Sequence, residues 1–110
     1  MLRKNAEVKF TVNGGKLTAH VLGEIDHRGA AGIRSTIDDT VRQGNCEHLV
    51  LDLSGVDFMD SSGLGLILGR YNSAKSMGKG FSVINPSPSA ERILSAAGAG
   101  RIISITKNGG

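Results

Sequence analysis

Residues 47–53, Glu-His-Leu-Val-Leu-Asp-Leu, form a nearly continuous apolar run, and no other stretch of the chain restricts the fold as strongly. Side chains on a strand alternate between its two faces, so such a run predicts a central strand covered on both sides. A strand of that kind belongs in a sheet whose connections are helices. A chain of 110 residues has room for one such domain and one core. With three Phe, one Tyr and no Trp, that core must be built mainly from Ile, Leu, Val and Ala.

Periodicity supplies the elements around this strand. Residues 7–12 and 16–22 alternate polar and apolar side chains on either side of Asn13-Gly14-Gly15, the pattern of a β-hairpin. Asp26 stands where an N-cap is expected, Ala30, Ile33, Ile37 and Val41 follow on one helical stripe, and Gly44 is placed to end the helix. After a turn at 54–61, Leu64, Ile67, Leu68, Tyr71 and Ala74 recur at helical spacing as far as Met77, where Gly78-Lys79-Gly80 stops the run. A short strand is expected at 81–85. Ser87-Pro88 has the form of an N-cap followed by proline at the first helical position, and Ala90, Ile93, Leu94 and Ala97 carry a third helix to Gly98. Residues 101–105 make a last strand, and 107–110 a frayed tail. The predicted fold is α/β, one domain over 1–110, with a mixed β-sheet, helices and the order ββαβαβαβ.

The segment Phe58-Met59-Asp60-Ser61-Ser62-Gly63-Leu64-Gly65 sets two hydroxyls at the start of a helix, beyond the carboxyl end of the central strand. In open α/β sheets ligands and partners are met at this end. The free amides of a first helical turn accept a hydroxyl, a carboxylate or a phosphate, and Asp60 or Ser61 equally fits a plain helix cap. Gly63, Gly65 and Gly69 fall in or near the first two turns, where an interior glycine costs up to about 1 kcal/mol relative to Ala. Ser62, Gly65, Gly69, Ser73 and Ser76 form a stripe of small residues, roughly opposite the face of Leu64, Leu68 and Tyr71. Close packing on a neighbouring element and a flat docking surface beside Ser61 both account for that stripe.

Residues 49–71, LVLDLSGVDFMDSSGLGLILGRY, closely resemble the anti-sigma-factor antagonists of the STAS domain superfamily, and GEIDHRGA at 23–30 resembles that family's entry into its first helix. The specific part is Asp-Ser-Ser-Gly-Leu-Gly at 60–65. The resemblance implies that Ser61 is phosphorylated by the anti-sigma factor, a serine kinase of the GHKL type. It implies that the unphosphorylated chain binds this factor and frees its sigma factor, that phosphorylation ends binding, and that a cognate serine phosphatase restores it. The partner-binding surface expected around the site comprises Asp26, Asp60, Ser61, Ser62, Gly63, Gly65 and Gly69. Members of that family usually continue past the last strand into another helix, whereas this sequence stops at Gly110, so part of one sheet face is expected to be less covered, which a partner, a dimer contact or a shortened chain would explain.

Other function classes find less support. A serine hydrolase built on Ser61 needs a base and an orienting group, and the spacing of His20, His27 and His48 does not suggest a triad. Cys46 and His48 make one close pair with no second pair at ligand spacing, and no P-loop motif occurs, so no metal, cofactor or catalytic residue is expected. The lone Cys46 reads as an ordinary loop thiol. The net charge of +3 is modest and its basic residues are scattered, which argues against direct nucleic-acid binding. Apolar stretches fall far short of a membrane span and the N-terminus lacks a signal-peptide pattern, so a cytoplasmic protein is expected. A stand-alone STAS subunit of a transporter or signalling assembly is the alternative within the same fold.

Overall fold

The computed structural model describes residues 5–107. Its elements are β1 (Glu7–Asn13), β2 (Lys16–Ile25), α1 (His27–Gln43), β3 (His48–Met59), α2 (Ser61–Ser76), β4 (Gly80–Ile84), α3 (Pro88–Ala96) and β5 (Ser104–Thr106), with a 3-10 turn at Ala99–Arg101. This is the predicted element order. The strands lie side by side as β1-β2-β3-β4-β5, the first pair antiparallel and the others parallel. Each parallel pair is joined by a helix, and right-handed crossovers advancing in one direction place all the helices on one face of the sheet. Accordingly α1 touches α2, and α2 touches α3.

The core lies between those helices and the sheet. Ile33, Ile37 and Val41 of α1, Leu66, Ile67 and Ala74 of α2, and Ala90 and Leu94 of α3 cluster with Leu17, Ala19, Val21, Leu49, Leu51, Leu53 and Val83 from the strands. Burying each of the larger side chains contributes about 1.5–3 kcal/mol. Cys46 lies in the loop between α1 and β3, as expected from sequence, but its side chain is buried in this core.

One face of the central strand departs from the expectation. Leu49, Leu51 and Leu53 point to the helices, whereas the opposite face of β3 carries Val50 between half-buried His48 and Asp52, with no helix over it among the described elements. Polar side chains close that face instead. His20 Nδ1 lies 2.7 Å from Asp52 Oδ2, its Nε2 lies 3.0 Å from Thr11 Oγ1, and His48 Nε2 lies 3.0 Å from Ser82 Oγ. Val50 is flanked in register by Thr18 and Ser82, which keeps it buried without a covering layer.

Three boundaries also move. β2 runs to Ile25 and β3 to Met59, past the turn expected at 54, because the two strands stay paired from Lys16↔His48 to Ile25↔Met59 through two register irregularities. Ser54-Gly55 is turn-like by composition, yet strand pairing satisfies its backbone. At the other end Arg101 sits in the 3-10 turn and β5 begins only at Ser104. Lys107, where the predicted frayed tail begins, pairs with Glu91, and residues 108–110 of that tail lie outside the described part.

Two outcomes test this packing. A Cβ on Gly63 would come 2.2 Å from Met59 Cγ and 3.3 Å from Ile25 Cγ2, both residues being buried. Gly63→Val is therefore expected to destabilise by about 1–3 kcal/mol through overpacking, read as a fall in Tm. Burial pushes the Asp52 carboxyl up, but the Ser54 N–H, the His20 ring and the Ser54 hydroxyl outweigh it and hold its pKa below the ordinary value. The folded value thus lies under the unfolded value of about 3.9, and the stability it brings is present above that pH and lost as pH falls through the folded value. Urea unfolding should find Asp52→Asn less stable than wild type at neutral pH, with the gap closing in acid below about pH 4. A gap that stays constant would show that the folded protein does not favour the ionised carboxylate.

Candidate functional site

The site begins with how β2 and β3 end. Their last register pair is Ile25↔Met59, so Asp26 and Asp60 follow at the same edge of the sheet, and each opens a helix. Asp26 Oδ1 accepts from the Gly29 amide at 2.9 Å, and Asp60 Oδ1 accepts from the Ser62 amide at 2.8 Å. Both are N-caps in extended backbone conformation, satisfying amides that the first helical turn leaves without partners. The Asp60 amide donates to the Ile25 carbonyl at 3.4 Å, which ties one helix start to the other.

This division of labour leaves Ser61 free of a structural task. Asp60 caps α2, and Ser61 is the first residue inside the helix, exposed, with a hydroxyl that enters no hydrogen bond among the described residues. Ser62 is half-buried and gives its amide to the cap. The first turn of α2 holds no acidic side chain beyond the cap itself, so Ser61 stands at the positive end of the helix dipole, next in sequence to the Asp60 carboxylate. Phe58, 42% exposed, adds an apolar side chain three residues upstream.

The glycines of α2 divide into two kinds. A Cβ placed on Gly65 or Gly69 would meet nothing within 4 Å, so these glycines do not serve close packing. With Ser62 they line an open groove whose other wall is α1 at His27, Ala30 and Arg34. Gly63, expected on the partner surface, is buried over Met59 and Ile25 and lets α2 approach the end of β3. Leu64, Leu68 and Tyr71 are half-buried on the opposite flank, where the Tyr71 ring meets Phe81 edge-on at 5.9 Å. The buried face of the helix is instead Gly63, Leu66, Ile67, Arg70 and Ala74.

Sequence reasoning missed Arg70 and the His20–Asp52 pair. Arg70 is 9% exposed and donates from Nη1 to Asp38 of α1. It stands three residues after Ile67 and four before Ala74, so a charge in the buried helical register was its signal. Nothing in spacing joins His20 to Asp52, which meet only because their strands pair. Those partnerships also bear on Ser61 as a nucleophile: His20 is engaged by Thr11 and Asp52 and His48 by Ser82, and no histidine is hydrogen-bonded to Ser61.

Comparison with known proteins agrees with this geometry. The sequence model of the STAS domain matches residues 7–109. The chain is 36% identical over 104 residues to the anti-sigma F factor antagonist of Paenibacillus polymyxa, covering 94% of this chain and 89% of that protein. It superposes on the anti-sigma factor antagonist SpoIIAA in its unphosphorylated form with a TM-score of 0.74 at 27% identity, covering 91% of this chain and 86% of the other. The phosphorylated form of the Bacillus cell fate determinant SpoIIAA gives a TM-score of 0.68 at 27% identity, covering 91% and 89%. The strand-helix order, the Asp60-capped helix with Ser61 at its start, and a match over nearly the whole chain place this protein in the STAS domain family.

Proposed function

We propose that this chain is an anti-sigma-factor antagonist whose binding is switched off by phosphorylation of Ser61. The observation that carries the proposal is the exposed Ser61 hydroxyl, which enters no hydrogen bond among the described residues at the first position of α2 while Asp60 does the capping. A kinase can reach such a hydroxyl and modify it without breaking a structural contact. The similarity to an anti-sigma F factor antagonist and to SpoIIAA in both phosphorylation states supports the same reading. The partner is then an anti-sigma factor that is itself a GHKL-type serine kinase, and a cognate serine phosphatase resets the switch. The chain acts as phosphoacceptor and binding module. No helix among the described residues is long and apolar enough to cross a membrane.

The direction of the switch follows from charge. Phosphate adds about −1.5 to −2 charges and three acceptor oxygens. Within the monomer the helix N-terminus favours the anion by about 0.3–1 kcal/mol, and the Asp60 carboxylate opposes it by Coulomb repulsion across exposed, screened space. The fold changes little. At an interface shaped for a neutral hydroxyl, the same dianion has to leave water without a counter-charge, a penalty of several kcal/mol. Association fails while the domain survives.

Ser61→Asp is expected to abolish binding to the anti-sigma factor kinase with little change in Tm, and Ser61→Ala to bind constitutively. Phosphopeptide mapping after kinase treatment should place the phosphate on Ser61. Wild-type binding by Ser61→Asp, or phosphate found on Ser62, would overturn the assignment.

A further inference from the structure

The groove beside Ser61 has a lining that neither core packing nor the hydroxyl switch accounts for. Its walls carry His27 and Arg34 from α1 and Gly65, Gly69 and Arg70 from α2, and no carboxylate among the described residues lines it. The glycines hold it open against local preference, since a methyl group at 65 or 69 has free space and alanine favours a helix by up to about 1 kcal/mol over glycine. Arg34 and His27 are exposed and enter no ion pair or hydrogen bond among the described residues. Arg70 is nine-tenths buried along the same groove; Nη1 serves Asp38, and Nε has no hydrogen-bond partner.

We infer that this groove receives a carboxylate side chain of the partner protein, an Asp or Glu inserted over Gly65 and Gly69 and paired with the Arg34 guanidinium beside His27. The inference rests on the antagonist reading and names how that partner is recognised. An arginine fork matches a carboxylate in two parallel hydrogen bonds, and the absence of acidic lining leaves its charge to be neutralised from outside. Two small residues a helical turn apart make room for a side chain, whereas a nucleic-acid track needs a row of cations along a backbone. Gly65 and Gly69 follow Ser61 by four and eight residues, roughly 6 and 12 Å along the helix axis, so the anchor lies one to two turns beyond the phosphoacceptor.

The test uses the full chain and an anti-sigma factor kinase that phosphorylates the wild type at Ser61. Arg34→Glu is expected to weaken binding by about tenfold or more, beyond the loss in Arg34→Gln, through repulsion of the incoming carboxylate. For phosphorylation it should raise KM and leave kcat within about twofold, since Ser61 and the chemistry are untouched. Gly69→Leu should fill the groove with the same loss of binding and an unchanged or higher Tm; if it fails to fold, the exposed Arg34→Glu decides alone. Changing the responsible partner Asp or Glu to Lys should restore binding to Arg34→Glu. Wild-type affinity and KM in Arg34→Glu would overturn the anchor and leave the Ser61 switch standing. A wild-type chain that no such kinase binds or phosphorylates overturns both.

Discussion

The parallel pairing of β2 with β3 is the contact on which the rest of this molecule depends. Because it persists to Ile25↔Met59, two chain segments leave the sheet side by side, and each must satisfy the open amides of a new helix. An aspartate at each exit does so, Asp26 for α1 and Asp60 for α2. The two helices thereby start at one edge and run together down one face, with a groove between them. Shortening either strand by two residues would separate the caps and disperse the surface around Ser61.

Glycine has opposite uses along α2. At Gly63 the absence of a side chain allows the helix to close on Met59 and Ile25, so the residue serves the core. At Gly65 and Gly69 the same absence leaves a gap facing α1 with nothing to fill it. One helix therefore joins the sheet tightly at its first turn and leaves its flank open beyond it. A serine just ahead of this sequence of glycines is held on a rigid support while remaining exposed, which is what a modifiable hydroxyl requires.

The open side of the sheet shows how a small domain closes a face without a second helical layer. Thr11, His20 and Asp52 link the edge strand to the central strand, and His48 with Ser82 links the central strand to β4. The buried aliphatic Val50 sits within this polar lattice. The depressed pKa of Asp52 has its origin in the same lattice, since the ionised form accepts from Ser54 and pairs with His20. These links act across strands, so they steady the sheet without taking part in the surface at its carboxyl edge.

Much of this was legible in the residues themselves. The run at 47–53, the hairpin signal at Asn13-Gly14-Gly15, the caps Asp26 and Ser87, and the helical stripes determined the element order, because each depends on neighbours a few residues away. The motif Asp60-Ser61-Ser62-Gly63 likewise marked the site. Tertiary structure alone decided which of Asp60 and Ser61 caps the helix, that Gly63 faces inward while Gly65 and Gly69 do not, and that Arg70 reaches Asp38. It also decided that β2 and β3 run on to the site and that one sheet face is closed by His20, Asp52 and Ser82. Those outcomes depend on side chains that meet across strands or helices, and local periodicity carries no information about which distant residue will stand opposite.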